Sequence, residues 1–131
     1  MANISRELTN GETAMLRSVF RSGITYPSVR VHNFKHFFFQ PDNTAMTPNG
    51  EIYFPPGHYA GDFSTANLSK RAWFVHESAH LYQHYGLKWN VYVRGAVDRE
   101  YTYTLDPAKT KLSDYGLEQM GDIAQDYYIL K

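Results

Sequence analysis

The chain has 131 residues, 13 basic and 13 acidic side chains, a formal net charge of zero and no cysteine. The balanced charge argues against binding to a nucleic-acid backbone or to an anionic membrane, and the lack of cysteine excludes disulfides and thiolate metal sites. Imidazole and carboxylate groups are therefore the strong metal ligands available. The length predicts one domain over residues 1–131, and neither a signal peptide nor a membrane-spanning run is expected from the sequence.

The first half of the chain predicts one helix and two strands. A capping box from Thr9 to Glu12 predicts a helix over residues 10–20. Alternating apolar and polar residues predict a strand over residues 29–34, and a long turn-rich connection leads to a second strand over residues 51–54. These strands predict a short antiparallel sheet. Prolines 55 and 56 mark an edge to which an extended peptide could add, although simple capping of the strand explains the prolines equally well.

The middle of the chain carries the motif His76-Glu77-Ser78-Ala79-His80. It lies in a predicted helix that starts at residue 68 or 69 and ends at residue 85, with Gly86 suited to a left-handed position after the last turn. Residues four apart share one face of a helix, so the two imidazoles could bind one metal ion with a carboxylate beside them. This pattern is typical of zinc peptidases. Residues 89–103 suit strand or helix, and a last helix is predicted from residue 115 or 117 to residue 130.

A catalytic zinc ion needs a third protein ligand and an open position for water. Gln83 and Gly86 occupy the places where one class of these enzymes has glycine and its third histidine, which excludes that class. Three ligands along one straight helix would spread over ~12 Å, too far for one ion, so His84 is expected at the surface or next to a ligand rather than as the third ligand. The third ligand is therefore expected on another element.

The last helix offers a carboxylate at Glu118, followed four residues later by Asp122. Glu118 could bind the metal while Asp122 accepts the second ring N–H of a ligating histidine, and Gly121 would let the two helices approach closely. Asp126 is a weaker candidate. The alternative is that these acids simply lie on the helix surface.

With both helices considered, the chain resembles a minimal gluzincin, an HExxH zinc metallopeptidase. It is similar to small bacterial peptidase domains associated with type VI secretion spike proteins, including the C-terminal domains of some VgrG proteins. The residues that carry the resemblance are His76-Glu77-Ser78-Ala79-His80, Glu118-Gln119-x-x-Asp122, Asp126-Tyr127-Tyr128, Leu8-Thr9-Asn10-Gly11-Glu12, Val19-Phe20, Val29-Arg30-Val31 and Asn49-Gly50-Glu51-Ile52-Tyr53. The resemblance implies an α+β, zincin-like fold with a short antiparallel sheet, a central helix bearing HExxH and a C-terminal helix bearing the third ligand.

The resemblance further implies one Zn²⁺ per chain, bound by His76, His80 and Glu118, with Glu77 as the base of an endopeptidase. It implies a bacterial antibacterial toxin, delivered by a secretion system to the periplasm of a target cell, with a protein or peptide substrate and a secretion spike or an immunity protein as partners. The oxyanion donor stays open among Tyr101, Tyr103, Tyr115, Arg99 and His58. Two rival interpretations also stay open: a zincin-like interaction module without catalysis, and an amidase acting on peptidoglycan.

Overall fold

A computed structural model describes residues 2–91, 93–94 and 103–130. The described part of the chain is α+β. Its strands are β1 Ser5–Arg6, β2 Arg30–His32 and β3 Glu51–Tyr53, and its main helices are α1 Asn10–Phe20, α2 Leu68–Tyr85 and α3 Leu117–Leu130. The predicted positions of the three helices are confirmed. None of the described helices is long and apolar enough to cross a membrane.

Local hydrogen bonds explain where the first two helices begin. The Thr9 hydroxyl accepts from the Glu12 backbone N–H at 3.0 Å while the Glu12 carboxylate accepts from the Thr9 N–H at 2.9 Å, so the predicted capping box is present. At the start of α2, the Asn67 side chain accepts from the Lys70 N–H at 2.9 Å. Each cap satisfies N–H groups that have no partner inside the helix.

The sheet differs from the predicted antiparallel pair. β2 pairs parallel with β3, aligning Val31 with Ile52, whereas β1 pairs antiparallel with β2 and had not been predicted. The sheet is therefore mixed, in the order β1-β2-β3. The physical reason is the connection over residues 33–50, which is long enough to carry the chain back so that β3 starts at the same end as β2. The predicted free edge of β3 is also partly covered, since Met46 forms an antiparallel bridge with Tyr53.

The end of α2 departs from the prediction at Gly86. This residue has φ −84° and ψ −48°, a right-handed helical conformation, and the left-handed residue is instead Lys88, with φ 60°. A side chain at position 86 would lie 2.6 Å from the carbonyl oxygen of Gly23, so close packing explains the glycine there. The segment 89–103, whose secondary structure the sequence left open, falls partly outside the described residues.

The core surrounds α2, whose residues from Phe74 to Leu81 are all buried. The fully buried ring of Phe74, in α2, stacks with that of Phe63 with centroids 4.8 Å apart, and Phe63 stacks with Phe54 at 4.5 Å. These stacked rings belong to the hydrophobic core. Because α3 packs against the other side of α2, the motif helix is held between the aromatic cluster and the helix that carries Glu118.

Candidate metal centre

Two histidines of α2 and one glutamate of α3 converge in the structure. Nε2 of His76 lies 3.1 Å from Oε1 of Glu118, and Nε2 of His80 lies 3.2 Å from the same oxygen. The two imidazoles share a face because they are one helical turn apart, and their rings meet edge to face. Glu118 reaches them from the first turn of α3.

This group of side chains could hold a metal ion. One ligand atom from each of the three residues lies within 4.8 Å of the other two. Bonds of about 2.1 Å in a tetrahedral arrangement would place ligand atoms about 3.4 Å apart, close to the separations observed here. His76 and His80 are buried, and the Glu118 side chain is 18% exposed. Two imidazoles and a carboxylate that leave one side open form a donor set suited to zinc.

The other ring nitrogen of each histidine also has a partner. Nδ1 of His76 lies 3.1 Å from Oδ1 of Asp122, and Nδ1 of His80 lies 2.9 Å from Oε1 of Gln83. Such contacts orient a ligating imidazole and fix which nitrogen faces the metal. Gly121 completes the contact between the helices, since a Cβ at this position would lie 2.6 Å from Cε1 of His76. The close helix approach predicted for Gly121 is therefore present.

The charged groups of the centre shift one another's pKa values. Burial alone would lower the pKa of His80, but the hydrogen bond to Glu118 and the charges of Glu77 and Glu118 outweigh burial and raise it to about 9. For Glu118, burial opposes the change, while hydrogen bonds with His76 and His80 lower the pKa to about 2. A site that stabilises an imidazolium in this way is electronegative, and the same field attracts a metal cation.

Glu77 lies beside the histidines and is 6% exposed. Burial raises its pKa above the usual carboxyl value, against the opposing effects of His80, of His76 and of a hydrogen bond from Thr47. The Thr47 hydroxyl donates that hydrogen bond to Oε1 of Glu77 at 2.9 Å. One carboxylate oxygen is thus held by a buried hydroxyl, which fixes the orientation of the group.

The two histidines, the three carboxylates and Thr47 open onto one cleft with a volume of about 510 Å³. Its described lining comes from the connection before β3, from α2, from the segment after α2 and from α3: Asn43, Thr44, Ala45, Met46, Thr47, Pro48, Trp73, His76, Glu77, His80, Val91, Leu117, Glu118, Asp122 and Gln125. The charged side chains in this lining, apart from the histidines, are all acidic. The described walls therefore combine apolar surface with negative charge around the candidate metal centre.

Three of the predicted oxyanion donors lie within the described residues, and none of the three is in the described lining of the cleft. Tyr103 donates to Oδ2 of Asp126 at 2.6 Å, and the Tyr115 hydroxyl accepts from the Asp106 N–H at 3.1 Å. His58 meets the ring of Trp73 edge to face, which places it behind a residue that does line the cleft.

The other two predicted donors, Arg99 and Tyr101, lie outside the described residues. Asp126, the weaker ligand candidate, interacts with Tyr103 rather than with the histidines. The His84 ring packs edge to face against Tyr85, and His84 is not part of the metal-binding group found among the described residues.

Two residues of the site were missed by sequence reasoning. In the sequence, Gln83 was used only to exclude the class of zinc peptidases that has glycine at its position. It lies three residues after His80 on the same helix, and this spacing could have identified it as a hydrogen-bond partner of His80. Thr47 lies 30 residues before Glu77 in an irregular connection, and no sequence pattern links the two residues.

No protein-family model matches the chain. The chain is 36% identical, over 140 aligned positions, to the type VI secretion system spike protein VgrG2b of Pseudomonas aeruginosa. This match covers 99% of the chain and 13% of the spike protein, so the chain spans only a small part of that relative. The solved structure of the effector domain of Pseudomonas aeruginosa VgrG2b is 35% identical with a TM-score of 0.85, and the match covers 95% of the chain and 73% of that domain.

Proposed function

The chain belongs to the family of the VgrG2b effector domain, and we propose that it is a type VI secretion effector that acts as a zinc-dependent endopeptidase. The observation that carries the proposal is the convergence of His76, His80 and Glu118 beside the buried Glu77 on an open cleft. This arrangement offers three side chains that could bind a metal and a carboxylate that could act as a base, which are the parts that metal-assisted hydrolysis requires.

The proposed roles follow from the atoms that each residue presents. Zn²⁺, held by His76, His80 and Glu118, would act as a Lewis acid and lower the pKa of a water molecule to ~7. Glu77 would accept the proton at Oε2, because Oε1 already accepts the hydrogen bond of Thr47. Its raised pKa lies closer to neutral pH than that of an ordinary carboxylate, which suits a group that takes a proton and then gives it to the leaving amine.

The connection before β3 offers a place for the substrate main chain. Met46 exchanges backbone hydrogen bonds with Tyr53, at 3.0 Å and 2.8 Å. In an extended chain, the N–H and C=O groups of the neighbouring residues, Ala45 and Thr47, point to the opposite side. Both residues line the cleft. We therefore place the strand addition of a peptide substrate at this segment, rather than at β3 itself.

The biological setting is proposed from the similarity to the spike protein. In this proposal the domain is delivered by a type VI secretion spike to the periplasm of a target bacterium, where it cleaves proteins, and an immunity protein protects the producing cell. The described lining of the cleft carries acidic side chains and no lysine or arginine, so nucleic acid is not proposed as a substrate.

Zinc stoichiometry and peptide cleavage test the proposal together. The wild-type chain is expected to bind one zinc ion and to cleave a denatured protein, while Glu77→Gln keeps the zinc and loses cleavage. Glu118→Ala is expected to lose the zinc. Asp126→Ala is the matched control, since Asp126 is an acid of the same helix that interacts with Tyr103 outside the metal group, and it should keep both zinc and activity.

Other outcomes would favour the rival functions. A stably folded wild-type chain without zinc would contradict the peptidase and favour an interaction module. Zinc-dependent cleavage of peptidoglycan fragments but not of denatured protein would favour an amidase. A Glu77→Gln variant with wild-type activity would refute the assignment of the base.

A further inference from the structure

Gln83 is a fully buried amide located one turn after His80 in α2. Its side-chain oxygen lies 2.9 Å from Nδ1 of His80. Its side-chain nitrogen lies 2.8 Å from the carbonyl oxygen of Leu117 and 3.3 Å from Sδ of Met120, both in α3. The amide therefore spans the gap between the two helices that carry the candidate metal ligands.

The partners of Gln83 determine which way its amide faces. A backbone carbonyl can only accept a hydrogen bond, and a thioether sulfur is likewise an acceptor. The NH₂ group must therefore face Leu117 and Met120, which leaves the amide oxygen towards His80. Since an amide oxygen can only accept, Nδ1 of His80 must carry the proton.

This orientation sets the chemistry of His80. With a proton fixed on Nδ1, Nε2 is the nitrogen left to bind a metal ion, and it lies 3.2 Å from Oε1 of Glu118. The second hydrogen bond of Gln83 ends at Leu117, the residue directly before Glu118. One side chain thus orients a histidine ligand and holds the first turn of the helix that bears the carboxylate ligand.

The two histidines are supported by different kinds of group. His76 contacts the carboxylate of Asp122, whose side chain is 29% exposed, whereas His80 contacts a neutral and fully buried amide. Glu77, Glu118 and Asp122 already give the centre three carboxylates, so an amide supplies the acceptor without burying a further negative charge.

We propose that Gln83 is a positioning residue of the metal centre, which fixes the tautomer of His80 and couples α2 to α3 at Glu118. The inference rests on the proposed function, because it concerns how the same site binds zinc. Partners that orient a ligating histidine typically contribute a factor of about 10 to 100 in metal affinity.

Zinc affinity, measured by competition with a chelator, tests this role. Gln83→Met keeps a similar volume and removes the hydrogen bonds to His80, Leu117 and Met120. It is expected to weaken zinc binding about 10-fold to 100-fold. Gln40→Met is the matched control. Gln40 is also a buried amide, and within the described residues its side chain bonds to the backbone of His36, Thr44 and Tyr53. The control should bind zinc as the wild type does, even if its stability falls.

A second measurement does not depend on how well the variant folds. In ¹⁵N NMR spectra of the zinc-loaded wild-type chain, His80 should bind zinc through Nε2 and show an Nδ1 proton protected from solvent exchange. Zinc at Nδ1 would overturn the inference, as would a Gln83→Met affinity within about threefold of wild type or an equal loss in Gln40→Met. Zinc binding without peptide cleavage would refute the peptidase alone, whereas a wild-type chain that binds no zinc would refute both proposals.

Discussion

Replacing Gly121 with alanine tests whether the close approach of α2 and α3 holds the candidate metal centre together. In a helix interior this substitution ordinarily stabilises by ~1 kcal/mol, because glycine loses more backbone entropy on folding. Here the added Cβ would lie 2.6 Å from Cε1, 2.8 Å from Nδ1 and 2.8 Å from Nε2 of His76. The favourable helix propensity is therefore opposed by a steric overlap with a ligand.

The distances give the size of the effect. Carbon atoms in ordinary contact are about 3.5–4.0 Å apart, so the ring of His76 or the whole of α3 must move by about 1 Å. Either movement separates His76 from Glu118 and Asp122, whereas metal bonds tolerate a change of only about 0.2 Å. Overpacking of a core costs about 1–3 kcal/mol, so we expect a net destabilisation of up to about 2 kcal/mol in the metal-free chain.

Gly121→Ala is expected to affect zinc binding more than the stability of the metal-free chain. We expect zinc affinity to fall at least about tenfold, which would remove about 1.4 kcal/mol of the stabilisation that zinc gives to the folded chain. Urea unfolding with and without zinc separates the two contributions, and a chelator competition measures the affinity directly. Gly57→Ala is the control, because a Cβ at position 57 has no atom within 4 Å. A Gly121→Ala variant that is more stable and binds zinc as tightly as the wild type would refute the reasoning.

Three further predictions concern the base, the ligands and the oxyanion donor. Thr47→Val removes the hydrogen bond that lowers the pKa of Glu77, so the acid limb of the kcat/KM profile should move to higher pH. The kcat should fall about tenfold while zinc affinity stays unchanged. An unshifted pH profile would contradict this role of Thr47. Zinc must displace a proton from His80, whose pKa is about 9, so zinc affinity should rise by up to about tenfold per pH unit until pH reaches about 9. An affinity that is constant between about pH 6 and pH 8 would contradict the assignment of His80 as a ligand. Tyr103→Phe should cleave peptides nearly as well as the wild type, since the Tyr103 hydroxyl donates to Asp126, and a loss of about 100-fold would instead identify it as an oxyanion donor.

The same raised pKa makes a prediction for the metal-free chain. The pKa of His80 is higher in the folded state than in the unfolded state, so its contribution to stability is complete below the unfolded value of ~6.5. That contribution is lost as pH rises through about 9. Urea midpoints measured across this interval should therefore fall in the metal-free chain, and a constant midpoint would show that the ion pair with Glu118 contributes nothing.

The helices were predictable because their signals are local. The capping box at Thr9 and Glu12 and the sequence periodicity lie within the segments that they specify. The direction of β3 could not be predicted in this way, because alternation along a strand does not determine whether the neighbouring strand runs parallel or antiparallel to it. Its parallel pairing depends on the path of residues 33–50, whose turns are held by contacts such as the hydrogen bonds from Gln40 to Thr44 and Tyr53. No local pattern specifies such contacts.

The candidate site likewise contains residues that could be predicted from the sequence and residues that could not. Zinc binds few types of side chain, so the motif left few candidates for a third ligand, and Glu118 could be predicted as one from the sequence. The structure brings Glu118 next to both histidines. The groups that orient the ligands face a weaker chemical requirement, since any hydrogen-bond acceptor can serve beside an imidazole and any donor beside a carboxylate. Asp122, four residues after Glu118, was predicted as a partner of a ligating histidine and contacts His76. Gln83 and Thr47, an amide and a hydroxyl, were not predicted. Their identity follows from where the folded chain places them, and for that reason their substitution tests the geometry of the site more directly than loss of a ligand does.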